Sequence, residues 1–456
     1  MKKGSRSNIC WFRTCCIAIL CWAGSGRAPV LAGQFDAGLG YALTHNTNIT
    51  RSSANPRAEL TEQLFGGIAY EETSTELYAR VVAQVEKRRF LRNTYQDDTG
   101  FFLDSTAVWT ISPRQFAWSF EDILREAPLS LSAPDTPANR AKTNSLSTGP
   151  EFTFRVDPAN MPIIGARYGR YHVQDAQVLG ENERYVIYGR WVHQISAPTA
   201  LSLNLMAARI YFDPPAFYTD VLREDLFFRY EVLLPFNRQT VDAGTTRIAQ
   251  YGGQELSGRL FRYSAQLGLT SESALRAFLA DQISDTYTDT IQGFTISTMP
   301  DMRGEAAAAP VAVASVAAGG NVYHSQRGEL TYANLGESFG YTLRGHLRRV
   351  DYVSVPQDYD EKGGTFSVSW VFSRETQAYA FTQYMRRSFQ SSGELDADRS
   401  KGAGVTYRLG RAFTLTAEAG QAERQSNVPG ATYVDRRAML LLGYSTGPLY
   451  SARSRR

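Results

Sequence analysis

Cysteine is absent from most of this chain. All four cysteines, Cys10, Cys15, Cys16 and Cys21, lie close to the N-terminus. The rest of the sequence therefore excludes a disulfide scaffold, a thiol enzyme and a cysteine-ligated metal site. Because Cys21 follows leucine rather than a small residue, the sequence also disfavours a lipid-modified cysteine.

Long hydrophobic runs are missing as well. A membrane-spanning helix needs about eighteen or more consecutive apolar residues, and no segment reaches that length. The longest candidate after the N-terminus, residues 306–320, is short and contains Pro310. The sequence therefore predicts no helical membrane anchor.

The N-terminus has the order of a secretory signal peptide. Lys2, Lys3 and Arg6 precede a short apolar stretch centred on residues 17–23, and small or aliphatic residues end at Ala32. A basic end, an apolar segment and a cut after small residues are typical of export signals. We expect residues 1–32 to be removed by cleavage after Ala32.

The apparent basicity of the chain comes mostly from this leader. The leader carries five of the 48 basic residues, so 48 − 5 = 43 remain against 45 acidic residues. The formal net charge changes from +3 to 43 − 45 = −2. Without a net positive charge, the sequence gives no reason to expect a nucleic-acid partner.

Alternating polarity is the main local pattern. In the segment ELYARVVAQVE, residues 76–86, the odd positions from Leu77 to Val85 are all aliphatic, and the even positions are mostly polar. A strand with this period has one apolar and one polar face. The apolar face could pack in the core of a soluble sandwich or contact lipid on the outside of a barrel.

The connections between such segments favour the barrel. Short turns such as Ser112–Gln115 and Pro198-Thr199 alternate with longer polar loops at 44–58, 88–98, 128–143, 213–223, 353–362 and 390–400. The segments span about 10 to 13 residues, which exceeds the usual soluble strand and suits a tilted membrane crossing of about 9 to 11 residues. Short periplasmic turns and long extracellular loops are typical of outer-membrane barrels.

These patterns predict an all-β fold: a single transmembrane antiparallel up-and-down β-barrel over residues 33–444, with a tail at 445–456. Lipid excludes open sheet edges, so the barrel should close with an even number of strands. We expect about 20 strands, within a range of 16 to 22. A barrel of this size is wide enough to hold water.

The polar faces predict a charged lumen of mixed sign. The residues expected to line it are Glu76, Arg80, Asp104, Glu121, Arg155, Arg167, Arg229, Glu231, Arg262 and Arg344. Carboxylates and guanidinium groups can exchange hydrogen bonds with hydrated solutes or sugars. The alternative for any one of them is a structural cross-strand ion pair.

Two stretches resemble a family of outer-membrane β-barrel porins associated with exopolysaccharide biosynthesis and export. The first is GQFDAGLGYALTHNTNITRS at 33–52, a glycine-rich strand followed by an asparagine-rich turn. The second, at 321–352, is a charged hairpin that ends in Arg-x-Asp-Tyr. Outer-membrane barrels usually finish on a terminal aromatic residue; here the last predicted strand ends at Tyr444 and twelve residues follow.

The resemblance implies a transport role in the outer membrane of a Gram-negative bacterium. Such a barrel would pass, or help to export, an exopolysaccharide or another hydrophilic solute. The implied partners are outer-membrane lipid, lipopolysaccharide, a polysaccharide and periplasmic export components. A second hypothesis is an occluded scaffold barrel, closed by residues 286–321, which could be one long loop or contain two weak strands.

Sequence motifs for catalysis are scarce. Only five histidines occur, and His172 and His193 are expected to lie far apart on a hairpin that places His193 opposite residue 165. A barrel hydrolase using His172 with Asp175 is therefore a weaker alternative, and we expect no enzyme activity, cofactor or metal. The acidic clusters at 358–361 and 396–398 are interpreted as solvated loop charge.

Overall fold

The structure is a computed structural model that describes residues 33–174, 181–213, 220–250, 253, 255–289, 321–353 and 355–447. The signal peptide predicted at 1–32 lies outside these residues and stays a prediction. So does the tail beyond Gly447. Within the described ranges, no helix is long and apolar enough to cross a membrane.

Twenty strands account for most of the described residues. In chain order, β1 to β20 are Gln34–Asn46, Glu59–Thr73, Leu77–Phe90, Asp98–Ser112, Phe116–Pro128, Arg140–Thr153, Asn160–Val173, Glu181–Ser196, Thr199–Asp213, Val221–Leu234, Asn237–Gln250, Glu255–Gly268, Ser273–Asp285, Val322–Leu335, Phe339–Tyr352, Tyr359–Val371, Thr376–Phe389, Leu395–Leu409, Phe413–Ser426 and Tyr433–Ser445. A short 3₁₀ turn at Pro137–Asn139 and a helical stretch at 286–289 complete the described secondary structure.

The strands form one closed antiparallel sheet. Each strand pairs with the next along the chain, and β1 pairs with β20 from Gly38↔Ser445 to Asn46↔Arg437. Closure leaves no unpaired edge among the twenty strands, which is what a lipid environment requires. The predicted all-β, up-and-down barrel of about 20 strands is therefore confirmed.

Alternation along each strand separates an outer from an inner face. On β10, the outer residues Leu222, Leu226 and Phe228 are exposed, whereas the inner residues Arg223 and Asp225 are only 4% and 5% exposed. This pattern inverts a soluble protein, because the large apolar side chains lie outside. It is the arrangement of a barrel that faces lipid.

Strand β3, predicted from residues 76–86, shows the same separation of faces. Val85 on β3 lies on the outer face, on the same side as the exposed Leu64 and Ile68 of β2. On the inner face, Glu86 accepts a hydrogen bond of 2.9 Å from the Gln63 side chain. The aliphatic row of β3 is therefore outward and its polar row inward, as predicted.

The connections also alternate as predicted, but several loops are shorter than the sequence indicated. The loop expected at 353–362 ends where β16 begins at Tyr359, and the one expected at 390–400 ends where β18 begins at Leu395. The strands extend further because acidic residues at their ends form buried ion pairs, described below. The start of β1 at Gln34 and the end of β20 at Ser445 lie on the side of the short turns.

Candidate functional site: the inner wall and two inward segments

The inner wall contains eight of the ten residues predicted to line the lumen. The strand register and the alternation of faces place these eight side chains inward: Arg80, Asp104, Glu121, Arg167, Arg229, Glu231, Arg262 and Arg344. Whether they contact a passing solute stays a prediction.

The other two predicted residues lie in turns instead. Glu76 is exposed in the turn between β2 and β3, because the Ser74 hydroxyl accepts a hydrogen bond from the Leu77 amide and delays the strand start to Leu77. Arg155 is exposed beyond the end of β6, beside the turn organised by Asp157. For both, the strand placement was wrong, since turn-forming side chains shorten the strands.

Shared carboxylates organise one side of the inner wall. Asp242 on β11 accepts hydrogen bonds from Arg229 at 2.7 and 2.9 Å and pairs with Arg262 at 2.9 Å. Glu329 on β14 binds both Arg344 and Arg327, at 2.9 and 3.1 Å. Each of these two carboxylates is thus shared by two guanidinium groups at ion-pair distance.

The loop between β5 and β6, residues 129–139, has its own internal structure. The Asn139 side chain accepts a hydrogen bond from the Ser130 amide at 2.9 Å and donates to the Ser130 carbonyl at 2.8 Å. Arg140 forms a two-point ion pair with Asp135, which also lies 3.4 Å from Arg51. Although desolvation opposes it, the positive charge of Arg140 holds the pKa of Asp135 below its usual value.

Loop 129–139 crosses the lumen and packs against the opposite wall. The ring contains twenty strands, and β6 and β16 are 16 − 6 = 10 places apart, so they face each other. Leu131 is 8% exposed and packs in a cluster with Tyr323, Val350, Tyr359 and Phe389 from β14 to β17. The loop is therefore folded into the barrel mouth.

Two arginines of the inner wall, one on β17 and one on β19, bind the loop backbone. Arg387 donates a hydrogen bond of 2.9 Å to the Leu131 carbonyl, and Arg424 donates one of 2.9 Å to the Ser132 carbonyl. Charged donors make stronger hydrogen bonds than neutral ones. The loop is thus held by a buried leucine and two charge-assisted contacts.

These arginines are in turn positioned by the acidic clusters. Glu361 binds Arg387 at 2.5 and 3.0 Å, and both side chains are almost fully buried. Arg424 binds Asp398 at 2.7 Å and Asp396 at 3.2 Å. The interpretation of Glu361, Asp396 and Asp398 as solvated loop charge was therefore wrong, because they neutralise arginines inside the barrel.

A second segment enters the lumen from the top of β13. The pairing of β13 with β12 ends at Asp281, whereas its pairing with β14 continues to Asp285↔Val322. Beyond that point Ile283 packs against Ile210, Val221 and Ile248 of β9 to β11. The tip of the β13–β14 hairpin therefore leans inward onto the inner wall.

Segment 285–289 extends this contact across the lumen. Asp285 binds Arg184 of β8 at 2.9 Å and lies 3.9 Å from Arg223 of β10. The Tyr287 ring lies 3.8 Å from the Arg184 guanidinium, and its hydroxyl donates to the Leu146 carbonyl on β6 at 3.3 Å. These are strongly desolvated cation–π and ion-pair contacts.

The same segment is tied to the β14–β15 wall through Asp289. Its carboxylate binds Arg348 at 2.5 Å and accepts hydrogen bonds from Tyr323 at 3.0 Å and Ser284 at 2.5 Å. Since Tyr323 and Leu131 belong to the same buried cluster, the two inward segments meet there. Both segments lie inside the barrel, on the side of the long loops.

Sequence reasoning missed the inward course of loop 129–139. The available signal was Leu131, one of two leucines in this loop, together with arginines at the ends of distant strands. Of the segment 286–321, which the second hypothesis assigned an occluding role, residues 286–289 lie inside the barrel, and their occlusion of the lumen stays a prediction. The remainder of that prediction falls on residues 290–320, outside the described part of the chain.

The histidines do not form a shared site. His193 lies opposite Asn160, not opposite residue 165 as expected, so it is about 40 Å along the strand from His172 at 3.3 Å per residue. His172 contacts Glu181 at 2.6 Å on the outer face. Asp175, its proposed partner, lies outside the described residues, and within them no cluster suited to a metal ion occurs.

The closed ring, the apolar exterior and the charged interior define the class of this protein. It is an outer-membrane-type β-barrel with a polar lumen. Residues 359–444, which comprise β16 to β20 apart from its last residue, match the family described as Putative beta-barrel porin 2. This similarity covers the C-terminal part of the barrel, and no curated protein matches the chain.

Solved structures of other barrels are similar in fold only. The siderophore receptor PirA from Pseudomonas aeruginosa is 11% identical, with a TM-score of 0.41, covering 90% of this chain and 80% of that one. OccK2 (OpdF) of Pseudomonas aeruginosa is 7% identical, with a TM-score of 0.37 and coverage of 91% and 97%. OccAB4 of Acinetobacter baumannii is 8% identical, with a TM-score of 0.39 and coverage of 91% and 98%. Similarity at this level says nothing about a solute.

Proposed function

We propose that this protein is a gated channel of the outer membrane for a hydrophilic solute and has no enzymatic role. The observation that supports it best is Leu131, which is held on the wall opposite its own strands. A wide polar barrel closed by a discrete loop can open without unfolding its wall. Single loops move independently of a rigid scaffold far more easily than packed strands do.

The charge of the inner wall supports a solute that carries negative charge. Asp242 and Glu329 are each outnumbered two to one by arginines, and Arg190 binds the neutral Asn204 side chain at 2.9 Å. Rings of arginine favour anions in pores. An acidic sugar polymer, passed or exported across the outer membrane, has this charge together with the hydroxyl groups that a polar lumen can bind.

A planar-bilayer experiment tests the gate. Replacing Leu131 with Ala removes buried apolar contacts worth about 2 to 5 kcal/mol, so the open-to-closed ratio should rise by at least about thirtyfold. The matched control is Leu129→Ala, because Leu129 belongs to the same loop but is exposed. We expect brief, anion-selective openings for the unmodified protein and for the control. Equal open probability for all three proteins, or silence of Leu131→Ala, would contradict the gate.

Export of a polymer requires a separate test. Deletion of the gene should leave polymer inside the cell and reduce it at the surface, and the unmodified gene should restore export. Unchanged surface polymer would remove the export role while leaving the channel intact.

A scaffold that stays occluded is the second candidate, and the two inward segments favour it. Both are fixed by buried ion pairs, including Arg387–Glu361 and Arg348–Asp289. A scaffold would conduct only after one of these segments is removed, whereas a channel opens spontaneously. The conductance of the unmodified protein therefore separates the two.

A further inference from the structure

Two positive side chains lie side by side on the outer face of the barrel. Lys362 on β16 is directly opposite Arg386 on β17, and both are exposed. Each lies three residues from the extracellular end of its strand, at Tyr359 and Phe389. Like charges directly opposite each other destabilise a sheet. An external anion bound to both side chains would reduce this repulsion.

No carboxylate of the described residues lies within ion-pair distance of Lys362 or Arg386. Neighbouring outer arginines have acidic partners: Arg349 binds Asp351 at 3.1 Å, and Arg399 lies 3.4 Å from Glu423. Lys362 and Arg386 form no ion pair among the residues that the structure describes, and the adjacent Asp360 accepts a hydrogen bond from the Gln390 amide. Their charges are therefore available to a ligand.

The pair borders a cavity of about 720 Å³ in the outer wall. Its apolar part is lined by Phe261, Leu279 and Leu347, and its polar part includes Arg349 besides the pair. There is free space above Gly328 in the floor of the cavity. A Cβ added there would meet one neighbouring atom within 4 Å, on Leu279 at 3.4 Å.

Three acidic residues also line this cavity, and two of them are engaged elsewhere. Asp281 binds His324 at 2.6 Å, and Glu361 binds Arg387 in the lumen. Asp360 is the third. The cavity therefore has the cations Lys362 and Arg386 toward its extracellular end, with aliphatic and aromatic side chains beside them.

We propose that this cavity binds a phosphorylated glycolipid of the outer leaflet of the outer membrane. Its phosphates would bind Lys362 and Arg386, and an acyl chain would pack on Phe261, Leu279 and Leu347. Both the charge and the position agree: the cations lie near the extracellular strand ends, where head groups lie, and Leu279 and Leu347 lie beside them in the same row of paired residues on the lipid-facing surface. The proposal does not depend on the channel function.

The test measures lipid that copurifies with the protein from outer membranes in mild detergent, by native mass spectrometry. We expect bound phosphorylated glycolipid on the unmodified protein and at least a tenfold loss in the double variant Lys362→Ala/Arg386→Ala, since two charge-assisted contacts are removed. The matched control is Arg89→Ala/Arg247→Ala, which removes two outer arginines near the extracellular end that have acidic partners. The control should retain the lipid.

A second measurement uses the unmodified protein, so that a folding defect of the variant cannot decide the result. Delipidated protein is titrated with the phosphorylated glycolipid, with its dephosphorylated form and with phosphatidylglycerol. Binding should be at least tenfold tighter for the phosphorylated glycolipid than for either of the others. Absence of copurified glycolipid, equal loss in the control variant, or equal binding of phosphatidylglycerol would overturn the proposal.

Discussion

At the scale of single residues, the face of the barrel to which an arginine points determines its role. Arg387 and Arg399 lie on the adjacent strands β17 and β18, but Arg387 points inward to Glu361 and Arg399 points outward to Glu423. The inward pair is almost fully buried, whereas Arg399 is 54% exposed. Buried pairs are costly to break, and exposed pairs contribute little.

This contrast gives a prediction for two matched substitutions. Arg387→Gln leaves the Glu361 carboxylate buried without its cation and frees the Leu131 carbonyl, so it should cost about 3 to 5 kcal/mol and increase the open probability. Arg399→Gln should cost less than about 1 kcal/mol and leave conductance unchanged. Thermal unfolding in detergent and single-channel recording provide the two readouts. Equal effects of both substitutions would show that Arg387 does not hold the loop.

At the scale of elements, one loop and one hairpin tip place chain inside a wide barrel. Barrels of 16 to 18 strands leave a water-filled channel, and 22-stranded transporters are plugged. With twenty strands, this lumen has room for inserted chain, and loop 129–139 and segment 285–289 occupy it. The strands form the wall, and in the proposed channel these two segments form the gate.

Shortening loop 129–139 should therefore open the channel. Residues 130–138 can be replaced by a short glycine-serine linker, because the Leu129 amide already donates to the Asn139 carbonyl at 3.0 Å. We expect a large, persistent increase in conductance in planar bilayers, since the linker has neither Leu131 nor its carbonyl contacts. The same replacement of exposed residues 53–56 in the β1–β2 loop serves as the control and should change little.

Excision of residues 290–320 provides a second arm of this experiment. If only that excision increases conductance, the occluding element lies there and loop 129–139 is not the gate. If both shortened proteins stay silent, the lumen is closed by the wall itself and the channel proposal fails.

At the scale of the whole molecule, closure between β1 and β20 determines whether the barrel can exist in lipid. Their pairing joins residues about 400 positions apart, from Gly38↔Ser445 to Asn46↔Arg437. Without β20, the edges of β1 and β19 would present unpaired backbone groups to hydrocarbon, at a cost of several kcal/mol per group.

Truncation after Thr432 should therefore abolish assembly into the outer membrane. The measurement is heat-modifiable electrophoretic mobility together with resistance to proteolysis in isolated membranes. Truncation after Gly447 retains all twenty strands and should behave as the full chain does. Assembly of the shorter protein would contradict the requirement for closure by β20.

The sequence by itself determined the wall of this protein. Alternation in segments such as 76–86 depends on two neighbours along one strand, and loop length depends on adjacent hairpins, so both can be recognised without distant contacts. Eight of the ten proposed lumen residues were placed inward for that reason. Glu76 was misplaced because the hydrogen bond of Ser74 delays the start of β3 to Leu77, and Arg155 was misplaced because β6 ends before the turn organised by Asp157.

Only the tertiary structure decided that two segments of the chain fold into the lumen. The partners of Leu131 lie from Tyr323 to Phe389, and the partners of Arg184 include Asp285, so these contacts join residues 100 or more positions apart. Nothing in the local pattern of a polar loop shows whether it extends into solvent or folds inward. The acidic residues Glu361 and Asp396 likewise resemble loop charge until the closed ring brings them beside Arg387 and Arg424, because burial of a charge depends on which cation the fold places next to it.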